Sequence, residues 1–296
     1  MTHGRGPSMG ELLARGDRSF SFEFFPPKDE AGEQQLWQAI TELEPFGPTF
    51  VSVTYGAGGT TRDRTVAITA RIARETSLLP VAHLTCVGHT TDELESILDD
   101  LEDAGVEHVM ALRGDPPGGP GSPWEATEGG VSYASELVAL VRRRPAMRIG
   151  VAAFPEGHVD AVDLEQDVRV LRAKQDAGAE FAVTDMVLRA SDYAALLERA
   201  GAVGADLPII PGVMPILNLR SMERMVELSQ RELPDEVVGR LEPLSDDPAA
   251  LRAEGIAIAT EMCDQLLAAG APGLHFYTLN RSRATREIFA NLRITA

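Results

Sequence analysis

Eight short runs rich in apolar and β-branched residues recur along the chain, at 19–25, 50–56, 80–86, 108–114, 148–154, 181–187, 208–214 and 273–279. Segments with helical spacing of apolar residues lie between them, at 33–43, 62–75, 91–104, 133–143, 163–177, 191–200 and 219–230. A further helical pattern covers 248–268, and 281–292 closes the chain. Strands alternating with helices pair in parallel through right-handed crossovers. Eight such units, with no GxGxxG after the first strand, predict an α/β fold: a closed (β/α)8 TIM barrel with an extra helix before the last strand. The expected division is an N-terminal extension over 1–18 and one catalytic barrel domain over 19–296. Asp163 and Ser191 are the expected helix N-caps, and Gly105 and Gly178 the expected helix stops. The Gly/Pro-rich stretch 116–123 reads as a mobile loop on the barrel rim.

Composition narrows the partners. A net charge of −18 argues against nucleic acid or an anionic membrane surface. Cys86 and Cys263 stand far apart without metal-ligand spacing, so neither a disulfide framework nor a metal site is expected. With no apolar run of membrane-spanning length and no secretory signal, the expected setting is the cytoplasm. Of 27 basic residues only Lys28 and Lys174 are lysine. A lysine surviving among arginines points to a use for its compact charge, with drift the plainer explanation for Lys28.

In a barrel the chemistry sits at the C-terminal ends of the strands. Period-two alternation puts Ser21 and Glu23 on one face of the first strand and Phe20, Phe22 and Phe24 on the other. The phenylalanines should pack on helices, so Glu23 points inward. There it is either one half of an ion pair with an inward arginine or a carboxyl raised by desolvation into the range of a general acid. Thr54 and Tyr55 precede a Gly-rich loop over 56–60 that suits a close-lying ligand or a tight turn. His83 and Thr85 share one face of the third run, where a lone histidine is more often a satisfied structural residue than a catalyst. Arg113, Gly114 and Asp115 end the fourth, and the eighth ends in the polar series from His275 to Arg281.

Taken in order, these runs resemble the methylenetetrahydrofolate reductase family. The matching segments are SFEFFPP from Ser21, FVSVTYG from Phe50 with RDRT from Arg62, HLTC from His83 and ALRGD from Ala111. They continue with YAS from Tyr133, AAFPE from Ala152 with His158, IIPG from Ile209 and HFYTLNR from His275. The resemblance implies an FAD-dependent barrel that reduces methylenetetrahydrofolate with NAD(P)H in ping-pong order, as part of one-carbon metabolism and methionine biosynthesis. It makes Glu23 the general acid and Asp115 the carboxylate beside the flavin. It makes Thr54, His83, Arg113, Gly114, Asp115, Tyr133, Ala134, His158, Asp167 and Lys174 the flavin-holding positions, with Lys174 near a phosphate. Tyr277 and Arg281 fall near the bound folate or nicotinamide.

The departures lie mostly on the substrate side. Asp185 stands where the family has a pterin-contacting glutamine, and Leu219 where it has a phenylalanine that packs on folate; on the flavin side, Val170 replaces an asparagine. Asp185 is expected either to anchor the pterin through its two oxygens or to turn away to a basic neighbour such as Arg189. Three alternatives stay open: another pterin or imine substrate, hydride transfer without flavin, and a silent relative that only binds folate or flavin. A monomer and a homo-oligomer are equally compatible with the sequence.

Overall fold

The computed structural model describes residues 9–13, 19–55, 62–116, 118 and 122–294. Eight parallel strands close on themselves in chain order: β1 (Ser19–Phe24), β2 (Phe50–Val53), β3 (Pro80–Thr85), β4 (His108–Leu112), β5 (Arg148–Ala153), β6 (Phe181–Met186), β7 (Ile209–Val213) and β8 (Gly273–Tyr277). The expected barrel is the observed one. Its strands stop short of the sequence runs, because the last residues of each run turn into the loops of the mouth.

The helices are α1 (Met9–Leu13), α2 (Glu30–Leu43), α3 (Arg62–Glu75), α4 (Thr91–Asp103), α5 (Ala134–Val141), α6 (Leu164–Ala177), α7 (Ala190–Ala202), α8 (Leu219–Leu228), α9 (Asp235–Leu241), α10 (Pro248–Ala268) and α11 (Arg283–Asn291). The extra helix before the last strand is α10, started by Asp247, whose side chain accepts from the N–H groups of Ala249 and Ala250. Asp163 caps α6 by accepting from Gln166 N–H. Ser191 does not cap: α7 begins one residue earlier, with Arg189 at the N-cap and no side-chain bond there. Gly105 and Gly178 both take positive φ at helix ends, as expected.

Alternation along β1 sorts the two cores. Phe20, Phe22 and Phe24 face outward into a cluster with Leu36 and Ile40 of α2 and Phe289 of α11. The Phe20 and Phe289 rings lie 4.9 Å apart. Each buried phenylalanine contributes roughly 1.5–3 kcal/mol. Inside the barrel, Phe50, Val81, Met110, Phe181, Val183 and Ile210 form a separate cluster that also contains Met9. Thus α1, within the stretch expected to be an extension, plugs the barrel interior with a fully buried methionine. Among the described residues no helix is long and apolar enough to cross a membrane.

Candidate active site

Above the apolar plug the barrel interior turns polar. Register puts Glu23 beside Ser52 on one neighbouring strand and Tyr277 on the other. Oε2 of Glu23 lies 3.3 Å from the Ser52 hydroxyl and 3.4 Å from Nε2 of both His83 and His275. Oε1 makes no hydrogen bond among the described residues. His275 is oriented by its other nitrogen, since Nδ1 lies 2.8 Å from the Ser21 hydroxyl, and by stacking on Phe50.

These contacts correct the expectation for Glu23. Burial pushes its carboxyl up, but the charges and hydrogen bonds of His83 and His275 outweigh that push and hold it down at about 2. Neither a raised carboxyl nor an arginine pair is found; the partners are two imidazoles. Ser21, Ser52 and His275 complete the group; the sequence puts Ser21 on the Glu23 face and His275 at the head of a polar series without giving either a role, and Ser52 becomes a candidate only when the same alternation is carried to β2. The carboxylate and its two imidazoles can hold a proton at Oε2 or at either Nε2.

A second cluster gathers basic groups from β4, the loop after β5, and α6. Arg113 lies 2.8 Å from Asp160, and its guanidinium sits 5.2 Å from the Trp124 ring centre, while its Nε is buried with no hydrogen-bond partner among the described residues. His158 follows β5, with its ring edge-on to Phe154 and its basicity lowered by burial and by Arg113. Asp167 and Lys174 lie two turns apart on one face of α6. The Lys174 ammonium donates to the Ala152 carbonyl at 2.9 Å, and burial, opposed by Asp167, brings it down to about 8. Burial raises the Asp167 carboxyl. An orphaned guanidinium nitrogen beside a buried ammonium and an imidazole fits an anionic, phosphate-bearing group such as the expected flavin.

The remaining expected flavin positions lie at other strand ends and on the rim. Thr54 is buried at the end of β2, with its carbonyl bonded by Thr65. Tyr133 is largely exposed on the rim ahead of the buried Ala134, and Asp115 is exposed there too. Gly114 takes φ +84°, and a Cβ there would lie 2.4 Å from Val87, so packing as well as conformation demands glycine. His83 sits with Glu23 in the first cluster. The Gly-rich loop 56–60 and Pro117 lie outside the described residues.

On the substrate side, a register shift in β6 between Val183 and Met186 disrupts the ladder around Asp185, as bulges do near sites. Asp185 does turn to a basic neighbour, but to Arg231 at 3.3 Å and not to Arg189, which faces Asp192 and Glu236. Burial lifts the Asp185 carboxyl to about 7, against the pull of Arg231 and with help from Glu156 and Asp167. Tyr277 donates to the Thr184 carbonyl at 2.6 Å, and burial, then Glu23 and Asp185, keep its phenol well above the ordinary value. Leu219 opens α8 half-buried against the cluster of Met186, Leu188 and Met214. Arg281 is exposed at the end of the β8 loop.

A family model described as methylenetetrahydrofolate reductase matches residues 8–293. The chain is 37% identical over 280 residues to 5,10-methylenetetrahydrofolate reductase of Escherichia coli (strain K12), covering 95% of this chain and 92% of that one. It is 36% identical over 292 residues to methylenetetrahydrofolate reductase (NADH) 1 of Arabidopsis thaliana, covering 95% of this chain and 49% of the plant protein. It therefore spans about half the length of that relative. Among solved structures, an uncharacterized Clostridium thermocellum protein described as binding two copies of 5-methyl-5,6,7,8-tetrahydrofolic acid matches with a TM-score of 0.61 at 14% identity, covering 95% of each chain. Oxaloacetate acetylhydrolase matches with a TM-score of 0.53, also at 14% identity, covering 95% of this chain and 81% of that one. At such identities these two likenesses speak for the barrel alone.

Proposed function

The chain belongs to the methylenetetrahydrofolate reductase family, and from that premise we propose that it reduces 5,10-methylenetetrahydrofolate to 5-methyltetrahydrofolate with NAD(P)H and bound FAD. The observation that carries the reading is Glu23, buried inside the barrel with Ser52, His83 and His275 around one carboxylate oxygen. A silent binder has no use for a buried group that can take up and release a proton.

FAD, when bound, supplies hydride carriage between the two substrates, which use the mouth in turn. Arg113, His158 and Lys174 would hold its anionic part, Thr54, Gly114, Tyr133, Ala134 and Asp167 would line it, and Asp115 would bias its electrostatics from the rim. Glu23 delivers a proton to the bridging ring nitrogen of the folate, opening the ring. A carboxyl held at about 2 is ionised at neutral pH, so the proton reaches Glu23 through an imidazole. Ser21 keeps the His275 ring turned so that Nε2 stays on Oε2. Asp185, Leu219, Tyr277 and Arg281 shape the folate end of the mouth.

The test is a visible absorption spectrum of the purified protein, followed by anaerobic NAD(P)H and then methylenetetrahydrofolate. Flavin bands that bleach with the first and return with the second are the expected result. A colourless protein that cannot take up FAD overturns the flavin assignment.

A further inference from the structure

Arg231 leaves α8 through a turn in which Gln230 takes the left-handed region, φ +52°. The N–H of Gln230 bonds the Glu227 carbonyl at 3.0 Å and that of Arg231 bonds Val226 at 2.7 Å, closing the helix end. The side chain that follows is nine-tenths buried. Its guanidinium meets two strand ends at once. Nη2 donates to the Gly157 carbonyl at 2.7 Å and to Asp185 Oδ2 at 3.3 Å, and Nη1 lies 3.2 Å from Glu156 Oε2. Glu156 and Gly157 belong to the loop after β5 that also carries His158. Asp185 lies in the disrupted stretch of β6, next to the Thr184 carbonyl that receives the Tyr277 hydroxyl.

A buried arginine that served only to neutralise Asp185 would grip both carboxylate oxygens with its planar fork. Here the fork is spread over Gly157, Glu156 and one oxygen of Asp185. The other oxygen, Oδ1, is buried and has no hydrogen-bond partner among the described residues. A buried, unpaired carboxylate oxygen is costly unless something arrives to use it.

We propose that Arg231 is a positioning residue for the folate substrate, clamping Asp185 to the loop after β5 so that Oδ1 is presented to the donors of the pterin. The inference rests on the function proposed above. A pterin offers a ring N–H beside an exocyclic amine, and a carboxylate accepts from such a pair whereas a protonated acid sets a donor against it. The charged form of Asp185 is therefore the binding form. Arg231 favours that form; burial, Glu156 on the loop after β5 and Asp167 on α6 oppose it. Tyr277 on β8 stays a neutral phenol, and Arg189 is engaged by Asp192 and Glu236. The balance falls at about 7, so the charge of Asp185 turns over in the neutral range. Removing Arg231 moves that turnover to higher pH and empties the binding form at neutrality.

The experiment compares wild type, Arg231→Gln, Arg231→Lys and Asp185→Asn from about pH 6 to 9, with one pKa unit worth about tenfold in the charged fraction. The readouts are KM for methylenetetrahydrofolate and calorimetric binding of 5-methyltetrahydrofolate. Wild-type KM falls as pH rises through about 7. Arg231→Gln moves the midpoint upward and raises KM at pH 7 by about fivefold for the first unit moved and about tenfold for each further unit. Asp185→Asn flattens the profile, and Arg231→Lys, which keeps the charge, keeps the midpoint. A glutamine variant with the wild-type KM and midpoint overturns the inference, as does an asparagine variant that keeps the pH dependence. If the glutamine variant does not fold, a folded lysine variant with no pH dependence in KM overturns it equally. A wild type that neither binds nor reduces folate overturns the proposed function and this inference together. Folate turnover with an unmoved Arg231→Gln profile overturns the inference alone.

Discussion

Nε2 of His275 lies 3.4 Å from Oε2 of Glu23, and Nδ1 of the same ring lies 2.8 Å from the Ser21 hydroxyl. The carboxylate and imidazole share a proton site that an amide cannot reproduce, because glutamine accepts and donates but does not titrate. Glu23→Gln should therefore cut folate reduction by roughly 10²–10⁴-fold, the usual worth of a general acid. Flavin reduction by NAD(P)H needs no such acid and should keep most of its rate. Anaerobic stopped-flow measurement of each half-reaction checks this, and equal loss in both halves would point to a purely structural carboxylate.

The same pair sets an acid limit on stability. Glu23 has its carboxyl lowered from 4.5 to about 2 in the fold, burial being outweighed by the two histidines. A depressed carboxyl contributes stability above its unfolded value, and loses it as pH falls through its folded value. Wild type should therefore exceed Glu23→Gln by up to about 3 kcal/mol near pH 6, with the gap shrinking by roughly half at pH 3. Urea midpoints of the two proteins at those pH values read the difference directly. A gap that widens on acidification would contradict the lowered carboxyl.

The two lysines separate binding from surface charge. Lys174 is buried with its ammonium on the Ala152 carbonyl, whereas Lys28 is exposed at the end of the β1–α2 loop. Lys174→Ala should weaken FAD retention in a fluorescence titration by roughly tenfold or more, in line with about 1.5–3 kcal/mol for a charged hydrogen bond. Lys28→Ala should leave the titration curve where it was. Equal retention in both variants would sink the phosphate role of Lys174.

The floor of the barrel offers a stability test independent of chemistry. Met9 is fully buried among Phe50, Val81, Met110 and Phe181. Truncating it leaves a cavity among side chains held by rigid strands, which relax little. Met9→Ala should cost about 2–4 kcal/mol in a urea melt. A loss below about 0.5 kcal/mol would mean that α1 rests on the barrel without filling it.

Much of this architecture is legible in the sequence because its signals are local. The strand runs, the α10 pattern over 248–268 and the inward face of Glu23 follow from periodicities of 3.6 and 2. What was not legible depends on closure. His83 and His275 lie 60 and 252 positions from Glu23, and only the complete ring of strands brings both to one oxygen. The raised carboxyl expected for Glu23 was the right reading of burial and missed two neighbours that burial alone cannot supply. For Asp185 the sequence leaves open a pterin contact or a basic neighbour such as Arg189, four residues on; the basic neighbour is Arg231, from 46 residues away through the turn at Gln230. Helices α1 and α9 are too short, at five and seven residues, for periodicity to register them.

The last prediction sets two effects of one substitution against each other. Gly255 lies inside α10, where replacing glycine by alanine ordinarily gains about 1 kcal/mol of helix propensity. A Cβ at this position, however, would stand 1.8 Å from the Ile216 carbonyl oxygen and 3.2 Å from the Ile216 side chain. The first neighbour is backbone and cannot swing aside, so either α10 or the segment after β7 must move. Overpacking of this kind costs about 1–3 kcal/mol and more where backbone is the obstacle, which exceeds the propensity gain. Gly255→Ala should lower the melting temperature in spite of its better helix residue. The segment that gives way, from Met214 to Asn218, leads directly into Leu219 at the folate end of the mouth. KM for methylenetetrahydrofolate should therefore rise, with flavin retention kept. A variant that melts higher than wild type would show that the helix settles the contact by a small slide, leaving the mouth undisturbed.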